Sequence, residues 1–233
     1  MRTQRAMQSL AKWHVWLGWL VGVPILMWTV TGLVMVAKPI KEVRGTHLRK
    51  QVPETALPAD TRIAVSLPAA NTRPVRSVTT QVERGETITR IAYMDGTSAR
   101  YRADGSALGP LSELEARLIA ADGVIGGDHV ISTTQYAAAD VPFDFRRPLP
   151  VWQVALADGT HVYIGTETGQ IEAVRTRWWR LFDFMWGLHI MDLQTREDTH
   201  HPVLVFFAAL AAIGALFGCI LMFRRRRART SVP

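Results

Sequence analysis

Two stretches of the chain hold no charged residue, Trp13 to Ala37 and Pro202 to Phe223. At about 1.5 Å per residue, a helix of either length crosses a bilayer core of roughly 30 Å. The pattern therefore predicts two membrane spans, the first interrupted by Pro24, where a kink is expected. Between the spans the apolar positions alternate in short runs. Thr89 to Ser106 and Val151 to Gln170 resemble each other: each has an apolar strand, an Asp-Gly-Thr turn (Asp95-Gly96-Thr97; Asp158-Gly159-Thr160), a short strand with Tyr101 or Tyr163, and a second turn at Gly105 or Gly169. An Asp-Gly pair between alternating runs is a hairpin signal, so a duplicated hairpin unit is expected.

Between the copies, Leu111 to Ala121 places Leu111, Leu114 and Leu118 on one helical face. Ser112 and Glu115 stand at capping-box spacing, and Gly123 lies just past the end. One helix on an antiparallel sheet is the economical fold, with Gly123 to Gly127 and Tyr136 to Pro142 as loops. After the second hairpin, Trp178, Phe182, Met185, Trp186, His189 and Leu193 follow helical spacing, with Arg180 and Asp183 off that face. That stretch is too short and too charged to span, and its tryptophans fit an interfacial amphipathic helix.

These elements divide the 233 residues into a cytoplasmic N-terminus (1–12), a first transmembrane helix (13–37), a linker (38–60), an exported domain (61–175), an interfacial helix and collar (176–201), a second transmembrane helix (202–223) and a basic tail (224–233). The fold class expected is an α+β membrane protein, its two transmembrane helices flanking the domain of duplicated hairpins and packed helix. Charge sharpens the picture. Residues 1–12 carry +3 and residues 224–233 carry +5, while the 164 residues between the spans sum to −1. Positive flanks place both termini in the cytoplasm and export the middle, so the overall pI of 10.2 is a topology signal. Nucleic-acid binding is set aside, because the domain itself is close to neutral. An apolar run of this length exceeds a removable signal and favours an uncleaved anchor. The single cysteine, Cys219, lies in the second span, so the exported domain is held without a disulfide.

Gly18 and Gly22 form a GxxxG in the first span, and Gly214 and Gly218 form another in the second. Both motifs stand at the same depth from the cytoplasmic edge, so antiparallel helices are expected to bring the stripes face to face; the alternative is contact with a second protomer. At i±4 the stripes reach His14 and Met222, an axial-ligand pair that tight glycine packing argues against. His14 also reads as an interface histidine bonded to water, lipid or a partner.

Lys12 to Gly18, the Val151 to Gln170 hairpin, Trp179 to Asp183 leading into Leu188 to Asp192, and His201-Pro202 opening the last span resemble the PepSY-associated transmembrane family. The resemblance implies a bacterial inner-membrane protein with PepSY-like periplasmic hairpins, often linked to iron or siderophore uptake. Larger relatives look like ferric-siderophore reductases with haem between histidine-bearing helices. His14 matches the first-helix histidine and His189 the one before a later helix. With only two spans, this chain lacks the helices that would complete a bis-histidine site.

His189, His200 and His201, with Asp192, Glu197 and Asp198 nearby, form the remaining candidate set. Neutral imidazoles ligate haem iron or a divalent metal, but the same stretch also reads as a polar collar ahead of a membrane helix. His47, His129 and His161 read as isolated surface residues. Arg224 to Arg227 read as a topology anchor against anionic lipid, and Arg146, Arg147, Arg175, Arg177 and Arg180 as solvated or interfacial charges. The chain carries neither a G-x-S-x-G nor an H-E-x-x-H pattern nor a phosphate-cradling glycine loop, so no catalytic residue is assigned. Three readings follow: a membrane-anchored binding module for iron acquisition, partnered by lipid and by a membrane or periplasmic protein or a second copy; a haem-carrying redox subunit using His14 with His189 or His201; and restraint of a periplasmic peptidase.

Overall fold

A computed structural model describes residues 2–51, 55–67 and 72–230, so parts of the expected linker and tail lie outside the described residues. The chain divides into two compact units. One comprises 1–39 with 180–233, the other 40–179.

The first unit holds the two apolar helices, α1 (Arg2–Val36) and α5 (Pro202–Thr230). Both are long and apolar enough to cross a membrane, over Gln4–Val36 and Pro202–Phe223. Helix α1 begins well before the first tryptophan and runs unbroken through Pro24. Among its less exposed positions, Leu10, His14, Leu17, Val21, Pro24, Trp28, Thr31 and Met35 recur at alternating intervals of four and three. That is the seam of two helices packed side by side.

The second unit is α+β, with a short helix α2 (Ile40–Val43) followed by two four-stranded antiparallel sheets. The first sheet is β1 (Val75–Glu83), β2 (Glu86–Tyr93), β3 (Ser98–Arg102) and β4 (Ala107–Leu108); the second is β5 (Val130–Tyr136), β6 (Val151–Leu156), β7 (His161–Gly165) and β8 (Ile171–Arg175). Strand order follows chain order in each, so the duplicated unit is a four-stranded meander. The hairpins anticipated from the Asp-Gly turns are its second and third strands. In both turns the glycine takes positive φ, 86° at Gly96 and 79° at Gly159. The preceding aspartate accepts a bond from the threonine amide two residues on, at 2.9 Å for Asp95 and 2.8 Å for Asp158. Each copy also carries a register shift at the start of its first strand, at Val75/Ser77 and Val130/Ser132. A shared irregularity at equivalent positions supports duplication beyond the turns themselves.

Helix α3 (Glu113–Gly123) lies between the copies and closes its capping box, with Ser112 N donating to Glu115 at 2.8 Å. The expected leucine face is corrected. Leu114 is 67% exposed and Leu118 38%, whereas Ala116 and Ala120 are fully buried. The small side chains let the helix sit close on Val154, Val162, Ile164 and Val174. Leu111, one residue before the cap, joins Ala116 in that core as a hydrophobic staple.

The segment expected as a linker also joins the domain. Val43 is 1% exposed, and Lys50 N donates to Gly123 O at 2.9 Å. One buried valine among charges has no periodicity by which to be found.

Helix α4 (Arg177–His189) forms where an amphipathic helix is expected, but its buried residues are Asp183 and Gly187, followed by Ile190 just beyond its end. The expected tryptophan face is partly exposed.

Candidate functional site

His14 sits in the notch that the second glycine motif cuts into α5. Its Nδ1 lies 3.0 Å from Gly214 O, and a Cβ placed on Gly218 would stand 3.0 Å from its Cε1. A carbonyl only accepts, so Nδ1 is the donor in this contact. Leu17 follows one turn later, 3.8 Å from the Cβ position of Gly214. The stripe on α5 therefore receives side chains of α1. The expected meeting of the two stripes does not occur within the chain: a methyl added to Gly18 or Gly22 would have nothing within 4 Å, and both glycines line an open groove of about 360 Å³ with Val15, Trp19 and Val23. The seam of α1 runs through His14, Leu17 and Val21, which turns its glycines outward. Met222, expected beside His14 as an axial-ligand pair, is 63% exposed.

His189 docks at the other end of α1. Its Nδ1 is 2.9 Å from Thr31 Oγ1, which donates to Met27 O at 2.8 Å, so the imidazole donates here as well. Trp28 Nε1 donates to His189 O at 2.8 Å. Residues 14 and 31 of one helix are about 25 Å apart at 1.5 Å per residue. One iron therefore cannot take both His14 and His189, and the close fit of His14 on Gly218 leaves no porphyrin-sized gap between α1 and α5 there.

The collar that follows is a built knot. Asp192 accepts the amides of Gln194, Thr195, Glu197 and Asp198 at 3.0 to 3.2 Å and the hydroxyl of Thr195. These donors hold its carboxyl well below the usual carboxylate range, the Thr195 hydroxyl most of all. Asp183, expected off the packed face, is buried and paired with Arg196 at 2.6 Å, and Trp186 Nε1 donates to Arg196 O at 3.0 Å. The acidic residues Asp183 and Asp192 are thus structural partners of the collar. His200 is exposed, its Nδ1 3.4 Å from Thr199 Oγ1, while Nδ1 of His201 is buried without a hydrogen-bond partner. Among the described residues, no group of three or more His, Cys, Asp or Glu side chains is placed to hold a metal ion.

The α+β unit carries a cluster that sequence spacing did not reveal. The connection from β5 to β6 folds back over β7 and β8, burying Phe145 on Tyr163 with ring centroids 4.8 Å apart. Asp144 on this strap accepts the Tyr163 hydroxyl at 2.5 Å and lies 3.3 Å from His161 Nδ1. Gln153 donates to the Tyr163 oxygen at 2.6 Å. Burial and the Asp144 carboxylate push the Tyr163 hydroxyl far above its ordinary pKa. His161 is therefore part of a network, and the only signal for it was its strand position beside Tyr163. In the first sheet the positions equivalent to Gln153 and Tyr163, by their offset from the Asp-Gly-Thr turns and their direct pairing, are Arg90 and Arg100. Arg90 pairs with Glu83 at 2.7 Å and donates to Thr168 O at 2.6 Å.

The fold and its candidate residues define an α+β protein with two four-stranded sheets and two long apolar helices suited to a membrane. No protein-family model, no curated protein and no solved structure matches the chain.

Proposed function

We propose that the protein is a membrane-anchored display module, holding a PepSY-like domain in the periplasm of a bacterium, where it docks a ligand or partner of an iron-acquisition system. The observation that carries the anchoring is the charge distribution. The basic excess flanks the two uncharged stretches at their outer ends in sequence, and a near-neutral compact unit is encoded between them. The iron connection rests on the resemblance of the span-opening and hairpin motifs to the PepSY-associated transmembrane family. Deleting the gene in its source bacterium tests it: growth on ferric chelates as the iron source should fall and return with the wild-type copy. Equal growth of deletion and parent on every iron source would reject the iron role.

A redox reading is kept by one observation: His189 is fixed through Nδ1, the arrangement in which a second-shell acceptor orients a ligating imidazole. Haem would then need its second ligand from another protomer or subunit. A Soret band in protein purified in mild detergent from haem-replete cells, lost in His189→Ala and kept in His47→Ala, supports it. No band in protein purified alone or with its genomic neighbours rejects it.

A further inference from the structure

Arginine and aromatic side chains converge at the end of the domain from which the chain leaves for the apolar helices. The Arg146 guanidinium stands 4.4 Å from the Phe143 ring centre and 5.9 Å from that of Trp179, and the Arg175 guanidinium stands 4.1 Å from the same Trp179 ring. One indole thus carries two cations. Both are oriented through Nε: Arg146 donates to Phe143 O at 3.1 Å and Arg175 to Asp144 O at 2.8 Å. Arg146 holds its place on a backbone with φ of 61°. Phe143 is exposed, and so is Arg177, two residues before Trp179 in the chain. Helix α4 continues without a break from Trp179 into Arg180, where the unit bearing the two apolar helices begins.

We infer that this patch binds the anionic phospholipid headgroups of the leaflet beneath the domain. The inference rests on the anchored topology proposed above. Guanidinium groups match phosphate geometry, and indole and phenyl rings settle at headgroup depth, so stacked arginine and aromatic residues suit the boundary between lipid and water. The domain as a whole is near neutral, which makes the attraction local to this end. The membrane is the occupant chosen because Trp179 shares helix α4 with His189, whose Nδ1 is bound to Thr31 of the apolar helix α1, whereas a soluble anion has no such link.

The test uses the full chain in nanodiscs of phosphatidylcholine, or of phosphatidylcholine mixed with phosphatidylglycerol, followed by hydrogen exchange with mass spectrometry. Amides of 142–148 and 174–180 should exchange about fivefold more slowly in the anionic discs, the factor that one arginine near an anionic surface is worth. Arg146→Gln with Arg177→Gln should abolish that difference, and Arg102→Gln in the first sheet should keep it. Both variants leave the Arg175 bond to Asp144 intact, and unchanged exchange in α3 reports that the domain is folded. Equal exchange in the two discs, a difference that survives the double substitution, or equal protection by inorganic phosphate in phosphatidylcholine discs would overturn the inference. If the anchoring itself were wrong, the protein would not stay with either disc, which separates the two failures.

Discussion

Gly218→Ala is the smallest change that tests how the two apolar helices meet. The added methyl would stand 3.0 Å from His14 Cε1, inside ordinary contact distance, and 3.5 Å from Nε2. The ring must move, and moving it lengthens the 3.0 Å bond to Gly214 O. Overpacking of this kind costs about 1 to 3 kcal/mol, and an interhelical hydrogen bond in a membrane protein is worth about 0.6 kcal/mol, so a loss of about 2 to 3 kcal/mol is expected. Gly22→Ala is the control, since nothing lies within 4 Å of its Cβ position, and its effect should stay within about 0.5 kcal/mol. The assay is a reversible SDS titration of the full chain in mixed micelles, followed by tryptophan fluorescence. A cycle with His14→Ala should remove most of the Gly218→Ala penalty, because the clash and the bond both belong to that ring. If Gly22→Ala were the more damaging change, or if Gly218→Ala cost nothing, the packing described would be refuted.

Removing one partner of the buried Asp183–Arg196 pair, as in Arg196→Met, should destabilise the collar by about 3 to 5 kcal/mol, whereas Asp183→Leu combined with Arg196→Met should recover most of it, read by the same titration. Asp192 has its carboxyl depressed in the folded state, so its contribution is complete above the unfolded-chain pKa of about 3.9 and drains away as pH falls through the folded value. Asp192→Asn should speed amide exchange across 193–198 at neutral pH and flatten the loss of thermal stability in acid. Tyr163→Phe removes a donor from the half-buried Asp144 and should cost about 1 to 3 kcal/mol, with faster exchange across the strap 137–150. Ser112→Ala opens the capping box of α3 and should cost about 1 kcal/mol in thermal unfolding.

The parts of this fold legible in the sequence are those fixed by local chemistry. The uncharged runs marked α1 and α5, the Asp-Gly-Thr turns marked two hairpins, and Ser112 with Glu115 marked the start of α3. Strands β1 and β5 escaped because edge strands exposed on both faces lose the alternation that betrays a buried face, as in Val75-Arg-Ser-Val-Thr-Thr-Gln-Val-Glu83. The face of α3 was misassigned because leucine dominates any apolar count, yet contact with a sheet at close range selects alanine. Of the candidate histidines, His14 and His189 proved to be anchored at opposite ends of α1, a separation that depends on where His189 docks and not on its own position in sequence. Tertiary pairs such as Asp144 with Tyr163 and Asp183 with Arg196 join residues 19 and 13 positions apart with no regular period to announce them.

Anchoring by α1 and α5 requires both termini on one side of a membrane and the α+β unit on the other. Fluorescent protein fused in turn to the N- and C-termini, and alkaline phosphatase inserted at the Arg84-Gly85 turn between β1 and β2, measure that directly in a bacterial host. Both terminal fusions should fluoresce and the insertion should be enzymatically active. Terminal fusions that stay dark beside an inactive insertion, or a chain that leaves the membrane fraction in alkaline carbonate without detergent, would contradict it.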